Sequence, residues 1–384
     1  MSEQPGFIPF NKPFTVGREL ECIAIAVASG HISGNGFFTK KCDGIFQKRY
    51  HMKKAVLTTS CTDALEMAAL LLDIQSGDEI IVPSFSFVST ANPFVLRGAK
   101  IIFADSSADH PNVDAGKIES LITPRTKAIV CVHYAGMSCD MERLVDVAAR
   151  ANISLIEDAA HAIESRWNGG KQLGTIGQLG TFSFHETKNI IAGEGGLLSV
   201  NDESFIDRAE IISEKGTNRS SFFRNEVKKY EWIDIGSSFL ASELTAAFLF
   251  AQLEHIDKIQ KKRIDLWKQY HEELETVEQN GFISRPRIPA YAMTNGHIYY
   301  LICNSVSERA NLIAQLAQCG IQAVFHYQSL HRSPFYRSQH DGRDLPNADR
   351  FSECLLRLPM FYELQTSQVS RISSVIRKHF GCTD

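Results

Sequence analysis

Apolar residues recur at helical spacing across residues 15–29, at Val16, Leu20, Ile23, Ala24 and Val27, and Gly30 ends the pattern. The loop that follows carries Gly30, Gly34 and Gly36 and reads as a flexible connection. Residues 54–59 then read as a strand, 60–63 as a hydroxyl-rich turn and 64–72 as an apolar helix. Residues 79–82, 100–104, 128–132 and 153–158 read as further strands, with helices predicted from Asp114 and over 141–149. Such alternation predicts an α/β fold whose mostly parallel sheet is wound by helices. Shorter strands follow at 181–184 and 197–200, then a helix over 202–213. From Ser242 an apolar-rich helix (Leu244, Ala247, Phe248, Ala251, Leu253, Ile256, Ile259) runs through the lysine-rich 258–263 to Leu274, long enough to link two domains. Beyond Phe282 the pattern gives strands at 297–303 and 322–326 and helices over 307–319 and from Ser367, an α+β arrangement. The expected division is a large domain over 1–250 and a smaller one over 251–384.

Composition narrows the function classes. The 384 residues are 44% hydrophobic and 22% charged, with a net charge of -4 and no basic face or acidic tail, which disfavours polyanion binding. The N-terminus lacks the basic and apolar blocks of a signal peptide and no apolar run is long enough for a membrane span, so a cytoplasmic protein is expected. Nine cysteines form no CxxC pair and fall in apolar elements, as at Cys22, Cys131, Cys303 and Cys319, which predicts reduced thiols. The 13 histidines show no metal-ligand spacing, and HYQSLH lacks the glutamate of a zincin helix, so no metal is expected.

The chemistry concentrates in TFSFHETKNIIAGEGG, residues 181–196, where Lys188 sits as strand gives way to a glycine turn. A lysine there is either a solvated surface charge or a nucleophile whose pKa partial burial lowers, freeing an amine for a Schiff base. The strand ending in Glu157 and Asp158 supplies a carboxylate where open α/β sheets place their ligands, although Asp158 could equally cap a helix. Together a strand-end acid and a Schiff-base lysine are the two anchors that a pyridoxal phosphate ring needs. Ser60, Cys61 and Thr62 precede a helix, where unpaired N–H groups suit a phosphate or need only an ordinary cap.

The stretches EDAAHA, SFHETKN and GEGG, with PSFSFVSTANPFVLRGA, VHYAGMSCDM, residues 215–247, HYQSLH and RLPMF, resemble the DegT/DnrJ family of sugar-nucleotide aminotransferases. These are pyridoxal-phosphate enzymes of fold type I. The resemblance implies a mostly parallel, seven-stranded-type sheet in the large domain and pyridoxal 5'-phosphate as cofactor. Lys188 is implied to bind it and to shuttle protons, and Asp158 to face the pyridinium nitrogen. His161, at a position often Gln, is implied to meet the ring hydroxyl, and Phe87, otherwise a core residue, to stack on the ring. The turn at Ser60, Cys61 and Thr62, with Ser183, is implied to take the phosphate. Many members have an asparagine that reaches the neighbouring subunit's phosphate; here Ser238 holds its place and donates one hydrogen bond where asparagine donates two. Substrate contacts are expected from His185, Arg219, Tyr327, His331 and the loop 30–36, with Arg219 either pairing with a diphosphate or lying free on the surface. A homodimer with shared sites is implied, with no nucleic-acid or membrane partner.

Within the family, TTSCTDALEMAALLLDIQ, FHETKN and KGTNRSSFFR are closest in wording to the transaminases that make dTDP-4-amino-4,6-dideoxygalactose. The implied reaction moves the amine of L-glutamate to C4 of dTDP-4-keto-6-deoxy-D-glucose, for surface polysaccharide. The alternatives are another nucleotide-linked ketosugar, aminated at C3 or equatorially at C4, and a relative with altered chemistry or a regulatory role. Such relatives would lose one of Asp158, Ser183 or Lys188, and all three are present.

Overall fold

The run AIVCV at 128–132 has no charged side chain, which only a strand covered on both faces tolerates. In the computed structural model, which describes residues 6–382, that strand lies in the interior of a seven-stranded sheet. Its members are β1 (Lys54–Thr58), β2 (Glu79–Pro83), β3 (Lys100–Ala104), β4 (Thr126–Val132), β5 (Ser154–Asp158), β6 (Leu179–Ser183) and β7 (Gly196–Val200). They run in the order β1-β7-β6-β5-β4-β2-β3. Only β7 is antiparallel to its neighbours, so the sheet is mostly parallel, as the βαβ rhythm predicts. Ile81, Ile129 and Leu155 on its central strands are at most 1% exposed, each contributing about 2 kcal/mol of burial.

The first three helices are α1 (Glu19–Ala28), α2 (Phe37–Tyr50) and α3 (Cys61–Leu71), of which α3 borders the site. Ser60 caps α3 by accepting from the Asp63 N–H at 3.1 Å. The adjoining strand must pass this helix start closely, and Gly196 permits it: a Cβ there would lie 2.2–2.4 Å from backbone atoms of Ser60 and Cys61.

Two expectations need correction, and one helix had no expectation at all. The helix predicted from Asp114 is only a short turn at Glu119–Leu121, ahead of Pro124, which cannot donate to a helix ladder. The single helix expected over 242–274 is two, Glu243–Leu253 and Ile256–Glu273, with the break at Glu254 and His255. Helix α2 carries no expectation above; its buried Phe38, Cys42, Phe46 and Tyr50 recur every four residues and pack on β1 and Glu243–Leu253. A second, four-stranded sheet (Ile283–Ser284, Tyr300–Cys303, Leu355–Arg357, Val324–Phe325) stands beside the C-terminal ends of the large one. No helix among the described residues is long and apolar enough to cross a membrane.

Candidate active site

Period-2 alternation at the end of β5 sends its two acids to opposite faces. Glu157 turns into the protein, where it accepts the N–H groups of Gly174, Ile176 and Gly177 at 2.6–2.8 Å and His133 Nε2 at 2.9 Å. Asp158 turns into a cavity of about 490 Å³. There Oδ2 accepts from Thr90 Oγ1 at 2.7 Å and Oδ1 from the Ala160 N–H at 3.2 Å, leaving lone pairs on both oxygens. Burial raises its pKa, while the Thr90 and Ala160 bonds and the charge of Lys188 pull it back down.

Lys188 enters the same cavity from the loop after β6, its N–H tied to the His185 carbonyl at 2.9 Å. Desolvation pushes its pKa down to about 8, although Cys61 and Asp158 act in the opposite sense. A neutral amine is therefore accessible near physiological pH, which makes this lysine a nucleophile and a base.

The start of α3 forms another wall. Cys61 and Thr62 occupy its first two positions, so their N–H groups have no intrahelical acceptor and point, with the helix dipole, at the cavity. Ser89, hydrogen-bonded to Thr62 at 2.9 Å, and Ser183 add hydroxyls, completing a site for an anion. An anion site, a neutralisable amine and a carboxylate on separate walls of one cavity fit pyridoxal phosphate in donor type and number.

His161 is buried beside them. Its Nδ1 accepts the Ala135 N–H at 3.3 Å, so the neutral ring carries its proton on Nε2, 3.3 Å from Tyr327 Oη. Burial, then Lys188 and Arg357, hold its pKa well below the usual value. His326, stacked on Tyr327 with centroids 3.6 Å apart, and His297, bonded to Asn189 at 2.8 Å, are kept neutral mainly by burial too.

Of the residues expected at a site, Ser60, Cys61, Thr62, Phe87, Asp158, His161, Ser183, His185, Lys188 and Tyr327 line the cavity. Arg219, Ser238 and His331 do not. Arg219 lies over the Phe223 ring at 5.3 Å, Ser238 is exposed in a bridge to Glu214, and His331 bonds Ser84 at 2.7 Å. Thr90, Arg357, His297 and His326 line the cavity without having been singled out, although all but His297 fall in stretches that carried the resemblance. Cys131, His133 and Cys139, buried behind the sheet, bring ligand atoms within 4.8 Å of one another, an arrangement their spacing does not advertise.

The sequence profile of the DegT/DnrJ/EryC1/StrS aminotransferase family matches residues 16–377. The chain belongs to this family. Its cofactor is accordingly pyridoxal phosphate, and the fold is that of the fold type I aminotransferases. This family member is 31% identical over 392 residues to UDP-4-amino-4-deoxy-L-arabinose--oxoglutarate aminotransferase of Shewanella sediminis, covering 98% of each chain. Among solved structures, the aminotransferase TlmJ from Streptoalloteichus hindustanus matches with a TM-score of 0.90 and 28% identity, covering 98% of this chain and 99% of that one. Spr1654 from Streptococcus pneumoniae, solved in PLP and PMP forms, matches each with a TM-score of 0.88 and 25% identity, covering at least 97% of this chain and 98% of the other.

Proposed function

We propose that this aminotransferase moves the amino group of L-glutamate to C4 of dTDP-4-keto-6-deoxy-D-glucose, giving dTDP-4-amino-4,6-dideoxy-D-galactose and 2-oxoglutarate for surface polysaccharide. The observation that carries the proposal is the meeting of Lys188 and Asp158 in one cavity with the start of α3. Two of the three stretches that resemble the dTDP-sugar transaminases, those holding Ser60–Thr62 and His185–Lys188, supply its walls.

When bound, the cofactor supplies an electron sink and a carrier for the amine. Cys61 and Thr62 N–H groups, with the Ser60 and Ser183 hydroxyls, would hold its phosphate, and Phe87 would cover its ring. Asp158 would hold a proton on the ring nitrogen, and the Nε2–H of His161 would donate to the ring hydroxyl. Lys188 Nζ takes the proton from the donor's Cα and, in the second half-reaction, delivers one to the sugar's C4. His185 and Tyr327 sit where they can orient the sugar.

Arg219 and Ser238 belong, in this proposal, to the partner's site in a homodimer. Their segment exposes Phe223, Tyr230, Trp232, Ile233 and Ile235, with Trp232 83% exposed, an apolar surface suited to a second copy. An active monomer by sedimentation would contradict the shared site.

The Shewanella relative, whose name specifies a UDP-linked 4-amino sugar, favours a second proposal, amination of another nucleotide-linked ketosugar. Incubation with glutamate and each 3-keto and 4-keto dTDP or UDP sugar, with product stereochemistry assigned by NMR, decides between them. An axial C4 amine on the dTDP 6-deoxy sugar is expected; exclusive C3 amination or an equatorial C4 amine rejects it.

A further inference from the structure

Arg357 ends the strand Leu355–Arg357 and lines the cavity from the small-sheet side. Its Nη2 donates to the Phe325 carbonyl at 3.1 Å, Nε is buried with no hydrogen-bond partner, and the Phe10 ring covers the guanidinium at 4.6 Å. Burial lowers its pKa, and no carboxylate among the described residues acts to keep it charged. A largely buried cation with no acid beside it, on the wall of a cavity, carries a desolvation cost that a bound anion would lower. Guanidinium is also the side chain best matched to a planar carboxylate.

We propose that Arg357 receives the α-carboxylate of the amino donor, so that the enzyme selects α-amino acids over simple amines.

Three anions could be considered. The cofactor's phosphate has its own site at the start of α3, on another wall. A sugar diphosphate hangs from C1, at least two bonds round the ring from a reacting C3 or C4. The α-carboxylate is one bond from the carbon that Lys188 deprotonates, so its receptor must sit deep in the cavity within electrostatic reach of that lysine. Arg357 meets this condition: its charge acts on Lys188, His161 and His326. In the sugar half-reaction the same donors face a ring hydroxyl beside the reacting carbon, a neutral acceptor that needs no charge. The proposal rests on the aminotransferase reading but not on which sugar is aminated.

The test uses holoenzymes of the wild type, Arg357→Gln and Arg357→Lys, each shown to retain the cofactor's absorbance band. Bleaching of that band is followed against L-glutamate and against 4-aminobutyrate, which keeps the amine and the distal carboxylate but lacks the α-carboxylate. Losing a charge-assisted pair should weaken apparent binding of L-glutamate about 30-fold in Arg357→Gln and leave 4-aminobutyrate within about two-fold, with Arg357→Lys recovering part of the loss. Preference for glutamate then collapses. Equal losses with both amines would make Arg357 a structural prop, and unchanged glutamate binding would also overturn the proposal. A wild-type enzyme that bleaches with glutamate but is not restored by any ketosugar refutes the sugar substrate while the Arg357 comparison still stands. No bleaching with any α-amino acid overturns both.

Discussion

Moving Lys188 into water should change how fast the protein takes up its cofactor, because only the neutral amine attacks an aldehyde. In the folded protein its pKa is lowered to about 8 from an ordinary 10.5, chiefly by desolvation. At pH 7 about a tenth of the amine is then neutral, against about three parts in ten thousand for an ordinary lysine, a difference of about 300-fold in reactive form. The assay is reconstitution of apoenzyme with pyridoxal phosphate from about pH 6 to about pH 10, reading the rate at which the bound cofactor's absorbance band appears. The rate should rise to a plateau with a midpoint near 8. Asp158 raises the lysine's pKa, so Asp158→Asn should move the midpoint lower. Linkage gives a second signature. The unfolded lysine holds its proton more tightly than the folded one, so this group makes the apoenzyme more stable as pH rises between about 8 and 10.5. A reconstitution midpoint near 10.5 would refute the desolvated-lysine argument, and one unmoved by Asp158→Asn would refute the coupling to Asp158.

Asp158→Asn should still bind the cofactor but turn over about a hundred-fold more slowly, since an ion pair that raises the ring nitrogen's pKa by about two units is worth ~2.7 kcal/mol; unchanged steady-state kinetics would remove its role. Gly196→Ala should lower Tm and weaken cofactor binding, because its Cβ would fall 2.2–2.4 Å from the backbone at Ser60 and Cys61 and displace the start of α3. The overpacking should cost about 1–3 kcal/mol by calorimetry, with cofactor affinity measured alongside. Trp232→Glu should yield monomers with impaired cofactor retention; a stable, fully active dimer by sedimentation would exclude that surface as the contact.

The parallel sheet was legible because its strands are short apolar runs punctuated by turns, and a strand covered by helices on both faces leaves that record in sequence. The placement of Asp158 was legible because it falls at a strand end, where open α/β sheets bind ligands, and that of Lys188 because a strand there gives way to a glycine turn. Thr90 and Arg357 were not: a hydroxyl or guanidinium on a short element has no period, Thr90 meets Asp158 from 68 residues away, and Arg357 reaches the cavity only where the two sheets meet. The two roles of Glu157 and Asp158 emerge only from β5's alternation, which sends one acid to three backbone N–H groups and the other to the cavity. Helix α2 was hidden by its lysines, although the i, i+4 series Phe38, Cys42, Phe46 and Tyr50 records its buried face. The break at Glu254 and His255 has no Gly or Pro to announce it.

The most direct test of the central claim is chemical trapping of the cofactor on the protein. Borohydride reduction of holoenzyme, followed by proteolysis and mass spectrometry, should place the pyridoxyl group on Lys188 alone, and prior treatment with L-glutamate should abolish the labelling by converting the cofactor to its amine form. Label on another lysine, or none on holoenzyme that retains its absorbance band, would contradict the account.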